Sequence, residues 1–329
     1  MFVGALLTAP AQEELRVDYR LVFWNVENLF DTQDDTLKND DDFTPKGELH
    51  WNTRRYNTKL HHLYQTLVAL GGVDGARFHM PDIVGMAEVE NGRVLRDLCR
   101  GTALRRFGYD FIHFDSPDKR GIDNALLYRR DRFRPLRSRA VCVSDSARGL
   151  YTRDLLCVEG VLAAGDSLCL IVCHLPSKRG GTVADRQREG VARRMRQLMD
   201  TLALQHPTAA VVVMGDFNSD PQELAPVLTP DSSFVNLMAA ASPAARGSYF
   251  YQGAWSWLDQ VLVSRNLLGN GGGALKVRQE HGSVFDIDFL LMESPRHLER
   301  APRRTYQGMK YVGGYSDHLP VYIDLYRMP

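Results

Sequence analysis

The chain has 329 residues with 40 basic and 40 acidic side chains, so its formal net charge is zero. Its composition, 44% hydrophobic and 24% charged, is typical of a globular protein. No apolar run approaches the roughly 20 residues that a membrane-spanning helix needs, so the sequence predicts no stable membrane span. Five cysteines without a C-x-x-C pair predict neither a disulfide framework nor a zinc site. Neutrality removes one argument for binding to long duplex DNA without excluding a nuclease.

The N-terminal residues predict export. A short apolar run is followed by Ala-Pro-Ala at residues 9–11, which resembles a signal-peptidase site, and then by polar residues. We expect residues 1–18 to be a signal-peptide remnant or a disordered terminus, and residues 19–329 to form a single domain. A periplasmic or extracellular location is therefore favoured. A cytoplasmic location is the alternative, because no positively charged residue precedes the apolar run.

Strands and amphipathic helices alternate along the rest of the chain. We predict strands at Arg20–Asn25, Asp82–Val89, Tyr109–Phe114, Asn124–Tyr128, Leu155–Leu162, Leu168–His174, Val211–Met214, Leu258–Ser264 and Val321–Leu325. The predicted helices are Thr53–Leu70, Arg93–Cys99 and Thr182–Gln205, with Thr182 capping the last, and the predicted loops are Gly269–Gly273 and Pro295–Gly314. Because strands outnumber helices and several follow one another directly, we expect mixed sheets in an α/β domain.

The segment VVVMGDFNSDP, residues 211–221, ends a predicted buried strand with an acid and an amide. We interpret Gly215 as the residue that lets the backbone turn. Asp216 and Asn218 are two residues apart and share one face as long as the chain stays extended. This pair suits a site for phosphate oxygens, a metal or a proton. An Asx-rich turn after a strand is the alternative, and the segment alone does not decide between them.

The same pattern recurs at the other predicted strands, where acidic, amide or imidazole side chains follow apolar runs. The residues are Asn25, Glu27, Glu88, His174, Asp216, Asn218, Asp259, Asp317 and His318. Asp259 lies inside an apolar strand, where an unpaired carboxylate is costly. Carboxylates can hold a hard divalent cation, a histidine held by a carboxylate can move a proton, and an amide can donate to a phosphoryl oxygen. The set therefore favours phosphoester hydrolysis.

These residues lie in seven motifs that resemble the endonuclease/exonuclease/phosphatase superfamily. The motifs are WNVEN (24–28), AEVEN (87–91), RGIDNALLY (120–128), HLPSKRGG (174–181), GDFNSDP (215–221), WLDQVLVS (257–264) and SDHLP (316–320). The superfamily includes pancreatic-type deoxyribonucleases, abasic-site endonucleases, neutral sphingomyelinases and inositol polyphosphate 5-phosphatases. The resemblance implies the DNase I-like fold, a four-layer α/β sandwich. In it, two mixed β-sheets pack face to face with helices on the outside, and the site lies where strand ends converge.

The resemblance also implies a role for each matched residue. The metal, most often Mg²⁺ with Mn²⁺ or Ca²⁺ possible, would be held by Glu88, with Asn25 and Glu27 beside it and Asp317 near metal or phosphate. The catalytic set would be Asp216 on the water, Asn218 on the phosphate, His318 supported by Asp259, and His174 on the leaving-group or phosphate side, supported by Asp123. Glu27 stands where several members have Asp, and Cys173 precedes His174 where many bacterial members have Asn.

Four further residues are candidates for substrate contacts. Lys178 and Arg179 follow His174 and suit phosphate, although a basic loop is the alternative. Tyr249 and Trp255 lie in an aromatic stretch that suits stacking on a base or an apolar group, although packing under a loop explains them equally well.

The sequence therefore predicts a metal-dependent phosphoester hydrolase, with a phosphodiesterase or nuclease favoured and nucleic acid as one possible substrate. A phosphomonoesterase acting on inositol phosphates or phosphoinositides is the second enzymatic hypothesis, and a sphingomyelinase-like phospholipase is the third. A binding module that kept the fold and lost turnover is the non-enzymatic alternative. It predicts the loss of a residue such as Glu88, Asp216 or His318, and all three are present. No protein partner is predicted.

Overall fold

The computed structural model describes residues 18–73, 78–239, 246–269, 272–277, 282–294 and 297–328. The predicted N-terminal segment lies outside the described residues except for Asp18. The same applies to residues 270–271 of the predicted Gly269–Gly273 loop and to residues 295–296. Asp18 is already part of the domain, because its backbone N–H donates to Leu325 O over 2.9 Å.

The described strands are numbered in chain order. They are β1 (Tyr19–Leu29), β2 (Ile83–Val89), β3 (Tyr109–His113), β4 (Asp123–Arg129), β5 (Phe133–Val141), β6 (Leu155–Leu162), β7 (Ser167–His174), β8 (Ala210–Asp216), β9 (Phe234–Asn236), β10 (Tyr249–Tyr251), β11 (Ala254–Ser256), β12 (Asp259–Ser264), β13 (Leu275–Val277), β14 (Ser283–Val284), β15 (Leu291–Glu293), β16 (Arg300–Pro302), β17 (Tyr306–Gln307), β18 (Lys310–Tyr311) and β19 (Val321–Arg327). The α-helices are α1 (Thr53–Leu70), α2 (Gly92–Arg96), α3 (Gly181–Gln205) and α4 (Pro221–Leu228). The described residues also contain short 3₁₀ turns and one π turn (Asp97–Gly101).

Two mixed sheets form the centre of the fold. The first has the order β13-β19-β1-β2-β4-β3, with β14 also paired to β19, and the second has the order β5-β6-β7-β8-β12-β9. The pairs β1–β2 and β7–β8 are parallel, and the other pairs in the two sheets are antiparallel. Three small hairpins, β10–β11, β15–β16 and β17–β18, lie outside these sheets.

Strand alternation explains the four layers. Leu21 and Phe23 of β1 pack between the sheets with Val212 of β8, while Val22 and Trp24 face the opposite way. The outer face of the first sheet packs on the leucine stripe of α1, and the outer face of the second packs on α3 and α4. The predicted sandwich, with helices on both outer faces, is confirmed.

Most predicted elements are present, and α1 has the predicted bounds. The Arg-rich strand β5 was not predicted, because it is an exposed edge strand interrupted by Pro135, where the register shifts. The predicted loop Pro295–Gly314 is wrong in part, since it contains β16, β17 and β18. Thr182 does not cap α3: the N-cap is Gly180, whose φ of 117° favours glycine.

Gly215 has a different function from the predicted turn. It lies inside β8 with an ordinary φ, and a Cβ at this position would come within 2.2 Å of Cys173 Sγ and 2.4 Å of Cys173 O. Glycine is needed here because β7 and β8 approach closely just before both strands end.

Replacing Gly215 by Ala is therefore expected to lower the free energy of unfolding by about 1–3 kcal/mol, the usual cost of overpacking. Gly190→Ala is the matched control, because Gly190 is exposed on α3 and a Cβ there would meet no atom within 4 Å. This control should be neutral or stabilising by about 0.5–1 kcal/mol. Urea denaturation measures both, and equal stability of the two variants would contradict the close-approach explanation.

Candidate active site

Strand ends from both sheets meet at one edge of the sandwich. Asp216 ends β8, and its register partners are His174 on β7 and Asp259 on β12. The first sheet brings Asn25 to the same place: its Nδ2 donates to Asp216 Oδ2 over 3.0 Å, and its Oδ1 accepts the N–H of Glu27, also over 3.0 Å. Backbone pairing and one bond between the sheets therefore bring these five predicted site residues together.

His318 and Asp259 form a buried hydrogen-bonded pair. His318 Nδ1 donates to Asp259 Oδ2 over 2.7 Å, because an ionised carboxylate can only accept. Burial opposes a charged imidazole, but Asp259 and then Asp216 outweigh it and hold the pKa of His318 well above its ordinary value. The ring therefore also carries a proton on Nε2, which lies 3.8 Å from Asp216 Oδ2.

Asp216 is a buried carboxylate between two imidazoles. Its Oδ2 lies 3.5 Å from His174 Nε2, and its Oδ1 accepts the backbone N–H of Asn218 over 2.8 Å. Burial raises the pKa of Asp216 to about 7, and Asp259 adds to the rise, whereas His318 and the hydrogen bonds lower it. A carboxylate with this pKa is suited to accept a proton from water near neutral pH.

His174 differs from His318 in charge. Burial, followed by the positive charges of Arg153 and Arg120, lowers the pKa of His174 well below its ordinary value. Its Nδ1 is buried and has no hydrogen-bond partner in the described part of the chain. At neutral pH the site therefore places one neutral and one charged imidazole beside the same carboxylate.

Asn218 is held in place by the chain that follows β7. Its backbone has a left-handed φ of 48°, which asparagine tolerates better than most residues. Its Nδ2 donates to Leu175 O over 3.0 Å. Because an amide nitrogen carries two hydrogens, one donor remains for a substrate oxygen.

Irregular backbone places the two predicted glutamate ligands. The pairing of β1 with β2 slips near the end of both strands, and Glu27 and Glu88 have left-handed φ angles of 50° and 63°. Such conformations cost about 1–3 kcal/mol each and need support. Glu27 Oε2 accepts the N–H of Thr305 over 2.6 Å, and Glu88 Oε2 accepts that of Asn28 over 2.9 Å.

The carboxylates around Glu27 fit a hard divalent cation. Burial raises the pKa of Glu27 to about 7, and repulsion from Asp317 is the next cause. Lys59 Nζ, 4.0 Å from Glu27 Oε2, and Arg304 Nε, 3.5 Å from Glu27 Oε1, lower it only in part. Carboxylate oxygens are the ligands that Mg²⁺ and similar ions prefer, so Glu27, Asp317 and Glu88 offer suitable donor atoms for the predicted metal.

Three positively charged side chains of this region were not predicted from the sequence as site residues. Burial lowers the pKa of Lys59 to about 8, opposed by the charges of Glu27, Asp317 and Glu88. A lysine on the leucine face of α1 is the signal that could have found it, because a buried ammonium needs partners. The other two are arginines from distant loops: Arg304 Nη2 donates to Asp317 Oδ2 over 2.7 Å, and Arg120 Nη1 lies 3.7 Å from Glu88 Oε1.

The predicted support of His174 by Asp123 is not seen as a hydrogen bond, since neither His174 Nδ1 nor Asp123 Oδ1 has a partner among the described residues. Asp123 lies on the same face of β4 as Ala125 and Leu127, which pack into the outer core against α1. His174 instead reaches Asp216 at the junction of the two sheets. The nearest imidazole to Asp123 is that of His113, with 3.5 Å between Oδ2 and Nε2.

The two predicted basic residues after β7 differ in their surroundings. Lys178 Nζ donates to Glu223 Oε1 over 2.7 Å at the start of α4, so its charge is already paired. Arg179 is exposed, and its charge acts on the hydroxyl of Tyr249, whose pKa burial and Asp317 raise to about 12. Arg179 is therefore the better placed of the two for a substrate.

The aromatic hairpin β10–β11 covers His318. The ring centroids of Tyr249 and His318 lie 4.7 Å apart, and the two residues form an isolated β-bridge. Trp255 packs against Phe250 with 5.2 Å between ring centroids, and its buried Nε1 has no hydrogen-bond partner among the described residues. Tyr249 thus faces the site directly, whereas Trp255 is partly packed under the hairpin.

Comparison of the chain with known proteins identifies its family. A sequence profile of the Endonuclease/Exonuclease/phosphatase family matches residues 20–327. No curated protein matches the chain. None of the described helices combines the length and apolar character that crossing a membrane would require.

Solved structures share the fold at low identity. A D. rerio TDP2 with 14 humanising mutations is 17% identical with a TM-score of 0.57, and the match covers 93% of this chain and 98% of that chain. The Bacteroides thetaiotaomicron mannosyl-6-phosphatase is 17% identical with a TM-score of 0.57, covering 93% and 99%. The human Nocturnin catalytic domain with bound sulfate is 17% identical with a TM-score of 0.55, covering 94% of each.

The charge of His318 can be tested without substrate. In metal-free protein, NMR titration of the imidazole should give His318 a pKa well above its ordinary value, and Asp259→Asn should lower it, because burial then outweighs the remaining attraction. His174 is the internal control, and its pKa should stay low in both proteins. An unchanged His318 pKa in Asp259→Asn would contradict the assigned pair.

Proposed function

Because the chain belongs to the endonuclease/exonuclease/phosphatase family, we propose that it is a divalent-metal-dependent phosphoester hydrolase that favours phosphodiesters. The observation that carries the proposal is the buried Asp216 carboxylate, with a pKa near 7, between a charged His318 and a neutral His174. A phosphorus centre bound at this edge would have a base, a cationic donor and an amide donor on three sides.

The metal-binding residues in this proposal are Glu88, Glu27 and Asp317, with Asn25 adjacent. A divalent cation bound there neutralises negative charge on the phosphoryl oxygens. Two cations position these ligands: Lys59 Nζ lies 4.0 Å from Glu27 Oε2 and donates to Thr305 Oγ1 over 2.8 Å, and Arg304 Nη2 donates to Asp317 Oδ2 over 2.7 Å.

Asp216 accepts the proton of the attacking water in this mechanism. His318 is already protonated and hydrogen-bonded to Asp259, so of these two neighbours only the Asp216 carboxylate can accept the proton. His318 Nε2–H and the remaining N–H of Asn218 then donate to phosphoryl oxygens as their negative charge grows. As the water oxygen bonds to phosphorus, the P–O bond to the leaving group breaks, and the departing oxygen takes a proton from solvent. The neutral His174, whose Nε2 lies 3.5 Å from Asp216 Oδ2, is assigned to the leaving-group or phosphate side by the family resemblance.

The charge balance supports a diester over a monoester. A monoester carries up to two negative charges, yet the cations around the site are largely paired: Arg304 with Asp317, Arg120 with Glu88, and Lys178 with Glu223. Among the described residues of the site, His318 and the exposed Arg179 then remain, with the metal, to balance the negative charge of the substrate. A phosphodiester with a single negative charge needs less compensation.

Nucleic acid is one candidate diester. The D. rerio TDP2 structure of the same fold has been solved with a single-strand DNA product, and Tyr249 offers an aromatic face beside His318. A phosphomonoester is the second candidate, because a mannosyl-6-phosphatase shares the fold over 93% of this chain. Because the sequence identity to these two proteins is low, the likeness to each of them concerns the fold alone.

The metal requirement is tested by removing the ion and by changing its ligand. Chelation should abolish hydrolysis of bis-p-nitrophenyl phosphate and Mg²⁺ should restore it, while Glu88→Gln should need far more Mg²⁺ and lose at least about 100-fold in activity. Glu48→Gln is the matched control on an exposed glutamate and should behave as wild type. Full activity in the presence of chelator would exclude the metal-dependent mechanism.

The reaction and its substrate class are tested together. Asp216→Asn and His318→Gln should each lower turnover by about 100-fold or more, because proton transfer and charge stabilisation contribute on that scale. Wild-type protein with Mg²⁺ is offered plasmid DNA, RNA, bis-p-nitrophenyl phosphate and p-nitrophenyl phosphate. Cleavage of the monoester alone, with the same dependence on Asp216, would reject the diester preference and keep the hydrolase.

A further inference from the structure

An acidic cavity lies beyond the ends of β1 and β2, next to the candidate active site. It has a volume of about 660 Å³. Seven of its fourteen lining residues are acidic: four lie between Asp31 and Asp40, and the others are Glu90, Asp115 and Asp123. The proposed hydrolysis does not use this cavity, and its lining is separate from the metal ligands proposed above.

The positive charge in the lining is too small to balance these acids. Only Lys38 and Arg93 are cationic among the lining residues. The Lys38 ammonium is already held by two carbonyl oxygens, Ser116 O at 2.8 Å and Asp118 O at 2.9 Å. Arg93 Nη1 contacts Asp31 Oδ2 at 3.4 Å. Most of the acids in the lining therefore have no cationic partner there.

Two of the lining carboxylates are buried with an unused oxygen. Asp40 is 2% exposed and Asp123 is 3% exposed. The Oδ1 atom of each has no hydrogen-bond partner within the described part of the chain. A buried carboxylate oxygen without a donor is costly and marks the place where a ligand with positive charge would bind.

A second carboxylate and an imidazole lie close to Asp123. Asp115, Asp123 and His113 each offer a ligand atom within 4.8 Å of the other two. Burial raises the pKa of Asp40, and Asp34 and Asp35 raise it further, as expected where negative charges lack a counter-ion. Asp115 and Asp123 are thus close enough to share one ion, and Asp40 lines the same cavity.

The walls of the cavity are tied together, so these acids are not free to separate. The backbone N–H of Asn39 donates to Lys119 O over 2.7 Å, which joins the Asp31–Asp40 segment to the turn before β4. Asp40 Oδ2 accepts the N–H of Asp35 over 3.1 Å, and Asp31 Oδ1 accepts that of Gln33. Irregular loops that supply several oxygens suit Ca²⁺, which accepts 6–8 ligands in variable geometry, better than Mg²⁺.

We propose that this cavity is a second cation site, which binds a divalent ion of the Ca²⁺ class through Asp40 and Asp123. Asp115 and other acids of the lining complete its oxygen shell. The ion would hold the Asp31–Asp40 segment against the turn before β4. The proposal is independent of the hydrolytic function, because it concerns different residues and a different readout.

Calorimetric titration of metal-free Glu88→Gln protein with CaCl₂ tests the proposal, since this background weakens the candidate catalytic site. We expect one Ca²⁺ per chain, with Asp40→Asn and Asp123→Asn each weakening binding by at least about 10–100-fold. Asp42→Asn is the matched control, because Asp42 is exposed and outside the lining. It should bind as the background protein does, and circular dichroism checks that all variants fold.

Hydrogen exchange gives a second readout, in which each variant is compared with itself with and without Ca²⁺. Ca²⁺ should slow exchange of the backbone amides of residues 31–40 in the Glu88→Gln background and should not do so in the Asp40→Asn variant. The proposal is overturned if Ca²⁺ does not bind up to millimolar concentration, or if binding survives both cavity substitutions. Tighter binding of Mg²⁺ than of Ca²⁺ would overturn the assignment of the ion.

Discussion

The hydrogen bond from Asn25 to Asp216 is the contact on which the candidate site depends, because it joins the two sheets where their strands end. The end of β1 also fixes the segment that carries the second imidazole. Ser316 Oγ donates to Asn25 O over 2.7 Å, and Trp24 Nε1 donates to His318 O over 2.9 Å. One strand end therefore sets the distance between carboxylate and imidazole, although these residues are about 100 to 290 positions apart in the chain.

The junction contains strained backbone and buried charge, which both cost free energy, and these features lie at the proposed active site. Four of the six described non-glycine residues with left-handed φ are Glu27, Asn28, Glu88 and Asn218. Asp216 and Glu27 are buried acids whose pKa values rise to about 7. A fold selected only for stability has no reason to gather strain and buried charge at one edge, and this combination is typical of functional sites.

Site residues at the ends of single strands could be predicted from the sequence, whereas residues that reach the site from distant loops could not. Strand ends carrying Asp216, His174 and Asp259 follow from apolar runs that stop at polar residues, and their register partners confirm the grouping. Asp123 stays a prediction, although alternation within β4 places it on the same face as its neighbours two and four residues on, which pack in the outer core. Arg304 gave no such signal, since it reaches Glu27 and Asp317 from a loop whose short strands have no clear period.

The same irregularity that builds the candidate site also separates it from the acidic cavity. Glu88 and Glu90 are two residues apart and would share a face in a regular strand, but the left-handed backbone at Glu88 interrupts the alternation. Glu88 then accepts the N–H of Asn28, while Glu90 accepts that of Asp31 over 2.5 Å. A cation in the cavity would therefore order a segment that is bonded to Glu90, two residues from a proposed ligand of the catalytic metal. Because acids placed this close repel one another, a cation bound in each site would stabilise both.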